Sequence, residues 1–268
     1  MTLPDLKQLE KDWEINARVN PATAIANWSG QRGGESGQWT PEEFFSLGER
    51  EFKHFLTHWG YQPTGEERAL DIGCGMGRLT RAMSRVFREA HGVDIAPTMI
   101  DLARQHHRDY PNVFFHHGPG HSFPMFPDNC MDVVFSYIVF QHMPEEAVLS
   151  CLRDIMRILV PNSGQAFLHF ELLTESEGSE TPSQRRQARF ASARAGLYRV
   201  LRALGSEKWA LRVWNPVTTN CISQRRLTDF AKSVGLTCLR SVPISPLITE
   251  GRSHAEGTFL LFQKRGGC

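Results

Sequence analysis

The sequence predicts an α/β fold in which a mostly parallel sheet of seven strands is covered by helices on both faces. Three observations predict it. From about residue 66 onward, short β-rich runs alternate with segments of helical period, the order expected when parallel strands are joined by crossover helices. The first run, Arg68-Ala-Leu-Asp-Ile, ends in a glycine-rich turn that leads directly into a helical stretch. The chain has 268 residues, 41% hydrophobic and 22% charged, enough for one large domain or a core domain with appended elements.

Taken in order, RALDIGCG reads as a buried first strand. GRLTRAMSRVF follows as a helix with Leu79, Met83, Val86 and Phe87 on one face. EAHGVDIA is the second strand, and PTMIDLARQHHRDY a helix opened by Pro97, with Met99, Leu102 and Ala103 inward. NVFFHHG is the third strand. After the Gly/Pro-rich connection GPGHSFPMFPDN, the run CMDVVFSYIVFQHM is a fourth that continues past the sheet edge into a loop. PEEAVLSCLRDIMRILVP is the clearest helix, with glutamates in its first turn and an apolar stripe of Val148, Leu152, Ile155 and Leu159. GQAFLHFELL returns as strand five. SQRRLTDFAKSVG is a further helix ending at Gly235, and LTCLRSVPI and GTFLLFQKR are the last two strands.

This divides the chain into a helical cap (1–65), a core (66–173), an inserted helical lid (174–222) and a final helix with two strands that rejoin the core (223–268). All six tryptophans fall in the cap and the insertion. Either their rings pack the additions onto the core, the usual role of large aromatics, or some of them line a ligand pocket.

Composition narrows the function. Thirty Lys and Arg against 29 Asp and Glu leave a net charge of +1, so no whole-molecule field favours nucleic acid or an anionic membrane. The start is charged, and no stretch approaches the roughly 18 apolar residues of a membrane helix. Six scattered cysteines without a CxxC pair argue against a disulfide framework or a zinc knuckle. The expectation is a soluble, cytoplasmic chain with no membrane partner.

The most informative segment is Asp71-Ile-Gly73-Cys-Gly75-Met-Gly77, at the handover from the first strand to the first helix. Alternate glycines let a ligand approach the backbone and the N–H groups of the helix start. A dinucleotide G-x-G-x-x-G needs a glycine where Arg78 stands, and no Gly-Lys-Ser/Thr follows for a phosphate loop. Asp94 closes the second strand, where a carboxylate can accept from both hydroxyls of a ribose, or cap the next helix.

ALDIGCGMGRLT followed by HGVDIAPTMIDLAR resembles the first two motifs of class I S-adenosylmethionine-dependent methyltransferases, with D-x-G-x-G-x-G complete. The resemblance extends through MDVVFSYIVFQHMP and RILVPNSG, covering residues 66–173 and, more weakly, 223–265. It implies a Rossmann-like sheet and an enzyme with S-adenosyl-L-methionine as cofactor. Carried across by position, it implies that Asp71 and the backbone of Gly73, Gly75 and Gly77 hold the methionine moiety. Asp94 would hold the ribose, Ile95 pack on adenine, and Ser136 line the cleft. Many members place a carboxylate after strand three, where this chain reads His116-His117-Gly118-Pro119-Gly120-His121. His117, Gly118 or the backbone near Gly120 would then meet the adenine.

A sulfonium methyl is already activated. Alignment can supply about 7–11 kcal/mol of barrier lowering, whereas a general base adds about 10²–10⁴-fold. His142, just past strand four, is the candidate base, or else a loop residue holding backbone groups or the cofactor. Gln141 beside it is expected to orient the acceptor, with Trp13, Trp28 and Trp214 as walls. His169 reads as a satisfied core histidine. No metal is expected at His106, His107, His116, His117 and His121, because hard cations prefer oxygen ligands and no paired carboxylate neighbours them.

The insertion carries Arg185, Arg186, Arg189, Arg194, Arg199, Arg202, Lys208 and Arg212. Phe190, Ala193, Leu197, Leu201 and Leu204 share one helical face with Arg185, Arg199 and Arg202 roughly opposite, so the basic residues are either a solvated face or include one or two arginines that grip an acceptor carboxylate or phosphate. A nucleic-acid methyltransferase is the alternative, with the basic insertion tracking phosphates. Base-amine methylation would call for Asp/Asn-Pro-Pro-aromatic where Ser136-Tyr-Ile-Val139 stands. A non-catalytic module would let the glycine turn decay, and aminopropyl transfer would want aspartates after strand four. The expectation is methyl transfer to a small organic molecule; nothing in the sequence indicates an oligomeric state.

Overall fold

Before the first strand lie α1, Pro4–Val19, and α2, Pro41–Trp59. Thr40 starts α2 with a capping box, its hydroxyl accepting from Glu43 N while the Glu43 carboxylate accepts from Thr40 N, and Pro41 supplies a preset φ. There follow β1 (Arg68–Ile72), α3 (Arg78–Met83), β2 (Glu89–Asp94), α4 (Pro97–His106), β3 (Val113–His117), β4 (Val133–Ser136) and α5 (Glu145–Ile158). Beyond them lie β5 (Gln165–Phe170), β6 (Leu172–Leu173), β7 (Ile222–Ser223), α6 (Gln224–Ser233), β8 (Leu236–Pro243) and β9 (Thr258–Lys264). This computed structural model describes residues 4–19, 21–22, 39–173, 197, 200–201, 203–206, 221–243 and 257–266.

Seven strands form one sheet in the order β3-β2-β1-β4-β5-β9-β8. The pairs among β1 to β5 are parallel, and β9 runs antiparallel to both β5 and β8. The order reverses direction between β1 and β4, the switch point outside which ligands bind in open α/β sheets. The expected seven-stranded, mostly parallel sheet with helices on both faces is therefore present.

The period of two along each strand sends alternate residues to opposite cores. On one face Leu70, Val134 and Leu168 pack against Val148, Leu152 and Ile155 of α5. On the other, Ala69, Phe135 and Phe167 meet Phe52, Phe55 and Trp59 of α2 and Leu79 and Met83 of α3. Trp59 stacks on Phe167 with centroids 4.2 Å apart. Helix α2 thus forms part of the sheet's own helical layer.

Two boundaries differ from the sequence reading, each for a local reason. The helix after the glycine turn ends at Met83, because Arg85 N and Val86 N switch to i→i−3 bonds with Ala82 O and Met83 O. The Asn112 amide then takes the carbonyls of Ser84 and Phe87. Strand four ends at Ser136 and passes into a loop as expected, with Ile138 at φ 60°. The insertion's ends are drawn together by a two-residue parallel pair, Leu172 with Ile222 and Leu173 with Ser223, too short to show a sequence pattern. Of the insertion's proposed apolar face, Leu197 and Leu204 are exposed and Leu201 is half-buried. Phe190, Ala193 and the insertion's arginines and lysine lie outside the described residues, as do Trp28, Trp209 and Trp214.

Phe55 is 1% exposed between sheet and helix, so Phe55→Ala is expected to cost about 3–5 kcal/mol of stability, against about 0.5 kcal/mol or less for the exposed Lys53→Ala. Urea denaturation of the two variants checks the contrast.

Candidate active site

The site is built on the turn between β1 and α3. Gly73, Gly75 and Gly77 hold φ of 72°, 53° and 81°, in the left-handed region that side chains disfavour. A Cβ on Gly73 would also strike the side chain of Val139, which reaches over the turn from beyond β4. Backbone bonds fasten the turn to the end of β2: Gly73 N and Cys74 N donate to Val93 O at 2.8 and 3.1 Å, and Gly75 N donates to Asp94 Oδ2 at 2.9 Å. Gly77 N donates to Cys74 O. The N–H groups of all three glycines are therefore consumed within the fold. What stands beside the turn is a set of oxygen acceptors.

Two carboxyls supply those acceptors. Asp71, 3% exposed, accepts from Thr80 Oγ1 at 2.7 Å. Burial pushes its pKa up to about 7, although the Thr80 hydroxyl and the Arg78 guanidinium pull it down. Asp94 keeps part of its surface exposed but is surrounded by protein, and that burial raises its pKa too, against the N–H groups of Ala96 and Gly75. Its Oδ1 accepts from Ala96 N at 2.9 Å, so it does steady the start of α4, yet each of its oxygens keeps a further lone pair.

On the β3 side, Gly118 N donates to Asp94 O, and Ile95 lies against Gly120, whose absent side chain leaves it room. His117 Nε2 bonds Ile95 O at 3.0 Å. A carbonyl can only accept, so the proton sits on Nε2, leaving Nδ1 as the acceptor of the neutral ring. On the β4 side, Ser136 is fully buried and donates to Ile72 O at 3.2 Å, beside the turn.

Past Ser136 the chain enters the one strained segment near the site. Ile138 is β-branched at positive φ, a conformation that costs on the order of 1–3 kcal/mol. Its N–H donates to His169 Nδ1 at 3.3 Å. His169 therefore carries its proton on Nε2, which finds no hydrogen-bond partner; it is a buried histidine but only half satisfied. Burial, with His142 nearby, lowers its pKa to about 3, so it stays neutral. The 3-10 turn Phe140–His142 follows. There the His142 ring meets the edge of Trp13 from α1, centroids 5.6 Å apart, while Gln141 is turned inward and 2% exposed.

Helix α1 has a second anchor. Glu14 accepts from Thr98 N and Thr98 Oγ1 at the start of α4. Thr98 follows β2 and His142 follows β4, so α1 reaches across the loops that flank the carboxyl end of β1. Sequence reasoning missed a further tie: Arg78, first residue of α3, forms a buried ion pair with Glu51 of α2. Gly48 permits it, since a Cβ there would lie 2.6 Å from Arg78 O. The signal was present, because Glu51 interrupts an otherwise apolar face formed by Phe44, Gly48, Phe52 and Phe55.

The other histidines do not converge. His91 Nδ1 and His116 Nε2 are 3.2 Å apart at the β2–β3 edge, and His107 Nδ1 donates to Ala103 O. Among the described residues no group of three His, Cys, Asp or Glu is arranged to hold a metal ion.

Comparison with known proteins turns on this same region. The family described as "Methyltransferase domain" matches residues 69–162, from within β1 to the loop after α5. Residues 69–162 are thus similar to a methyltransferase domain. The malonyl-[acyl-carrier protein] O-methyltransferase of Halorhodospira halophila is 33% identical over 130 residues, 46% of this chain and 43% of that protein. The 2-phytyl-1,4-naphtoquinone methyltransferase of Thermosynechococcus vestitus is 30% identical over 122 residues, 44% of this chain and 52% of that protein. The chain thus spans about half the length of these curated relatives. The solved magnesium protoporphyrin IX methyltransferase of Synechocystis, with bound SAH, shares the fold over 92% of this chain and 96% of its own, with a TM-score of 0.55 at 16% identity.

An aspartate titrates near 3.8 when unperturbed, and Asp71 at about 7 in the folded chain. Between those values the folded state binds more protons than the unfolded. The contribution of Asp71 to stability is thus complete below about pH 4 and declines as pH rises through 7. The stability of ligand-free Asp71→Asn relative to the parent is expected to rise from pH 4.5 to 7.5, as read by urea denaturation at both values.

Proposed function

We propose that the chain is an S-adenosyl-L-methionine-dependent methyltransferase acting on a small organic molecule. The observation that carries this reading is the pair of buried, uphill-titrating carboxyls on a glycine turn whose N–H groups are already spent. Such a site suits a ligand that brings donors and positive charge. The cofactor has an ammonium group for Asp71 and the glycine turn, and a ribose diol for Asp94. Its adenine would lie on Ile95 near Gly118, with the amino group directed at Nδ1 of His117, and Ser136 would back the cleft.

When bound, the cofactor supplies an activated methyl on a sulfonium. The chain's contribution is alignment and exclusion of water, and for these the proposal assigns α1 of the 1–65 cap, together with the 174–222 insertion, as covers over the 66–173 and 223–268 core, to whose helical layer α2 of the cap belongs. His142 takes a proton from the acceptor where one must leave, and Trp13 walls the acceptor beside it. Gln141 orients the acceptor; Trp28 and Trp214 are assigned as further walls.

The acceptor class is supported by the relatives, whose names refer to quinones and to a malonyl carrier rather than to nucleic acid. No helix among the described residues is long and apolar enough to cross a membrane, and Cys74, Cys130, Cys151 and Cys238 are free thiols. Both fit the cytoplasmic placement proposed here.

Asp94→Ala is expected to abolish calorimetrically detectable binding of S-adenosylhomocysteine; affinity equal to the parent's would refute the ribose assignment. His142→Ala is expected to leave that affinity unchanged while slowing cofactor-dependent methylation of a metabolite extract by about 10²–10⁴-fold, read by mass spectrometry. Unchanged turnover would reject the base.

A further inference from the structure

Beside the 3-10 turn lies a cavity of about 20 Å³, enclosed by Phe140, Val148, Phe170 and Ile222 and bounded by Glu145 and Glu171. Gln141 lines it. Its amide nitrogen and amide oxygen are both buried, and neither finds a hydrogen-bond partner. A buried amide left unpaired costs on the order of 1–3 kcal/mol, so native chains seldom keep one without a use. The turn that carries it begins at strained Ile138 and ends at His142, where acceptor chemistry is proposed to occur.

We infer that this cavity is a recognition subsite for a neutral hydroxyl borne by an apolar or aromatic methyl acceptor. This rests on the methyltransferase reading and narrows it. The amide presents one donor group and one acceptor atom together, and a hydroxyl answers both at once. A carboxylate or phosphate would satisfy only the NH₂ and would meet the Gln141 carbonyl oxygen with an acceptor of its own kind. The two bounding acids are already engaged: Glu145 with Arg226 Nε at 2.5 Å, and Glu171 with contacts of its own, including Cys221 Sγ at 3.9 Å. They therefore do not single out an ammonium. The volume admits a substituent of about one water's size but no ring, and the apolar walls suit the hydrocarbon to which that substituent is attached.

The test uses the full chain, with and without S-adenosylhomocysteine, titrated with phenol and with benzoate by NMR. Gln141→Leu, close in shape and without polar atoms, is the variant. Phenol is expected to bind the parent at least tenfold more tightly than Gln141→Leu, and at least tenfold more tightly than benzoate binds the parent. The thermal midpoint of Gln141→Leu is expected to equal or exceed the parent's, since an unpaired buried amide is removed. Equal phenol affinity in the two proteins, or benzoate binding as tightly as phenol, would overturn the subsite. So would a lower midpoint, which would mean that the amide is paired inside the folded chain. Absence of S-adenosylhomocysteine binding heat would instead defeat the methyltransferase reading, and the titrations without that compound would still decide the subsite.

Discussion

The hydrogen bonds between the turn after β1 and the end of β2 are the constraint on which the site depends. By taking Gly73 N, Cys74 N and Gly75 N onto Val93 O and the Asp94 carboxylate, the fold holds Asp71 and Asp94 beside one bend of backbone. Burial then disfavours both charges, and the same bonds spend the N–H groups of Gly73, Cys74 and Gly75. The bend is left flanked by oxygen acceptors, which suit hydroxyls and cations. That polarity separates it from phosphate-binding glycine loops, whose N–H groups point at the ligand.

The N-terminal helices help to brace this bend. Glu51 neutralises Arg78 where the turn becomes helix α3, and Gly48 lets α2 press against that residue's carbonyl. Removing one partner of a buried pair strands the other charge, so α2 and the turn are energetically joined. Helix α1 is tied more lightly, through Glu14 to the start of α4 and through Trp13 to His142. Its position couples the segment after β2 to the segment after β4.

Local patterns were legible and tertiary ones were not. The D-x-G-x-G-x-G turn and Asp94 could be read because glycine and a strand-closing acid carry their meaning within a few residues. The alternation of β-rich runs with helical segments likewise announced a largely parallel sheet covered by helices. Ile138 gave no warning, since isoleucine is among the last residues expected at positive φ; only His169, thirty-one residues on, explains where its N–H goes. Trp13 and His142 were each singled out, but nothing in their spacing announced that their rings would meet. The partners of Gly73 N and Gly75 N could not be read, because they are Val93 O and the Asp94 carboxylate of the neighbouring strand.

The placement of β9 has a consequence for how the chain assembles. Thr258–Lys264 lies between β5 and β8, although it is synthesised after both. On the ribosome, β5 must wait with an unpaired edge while some ninety further residues emerge, and β8 has no neighbour until the hairpin folds back and slots in. Such late, distant pairing makes for slow closure and leaves a sticky edge during translation.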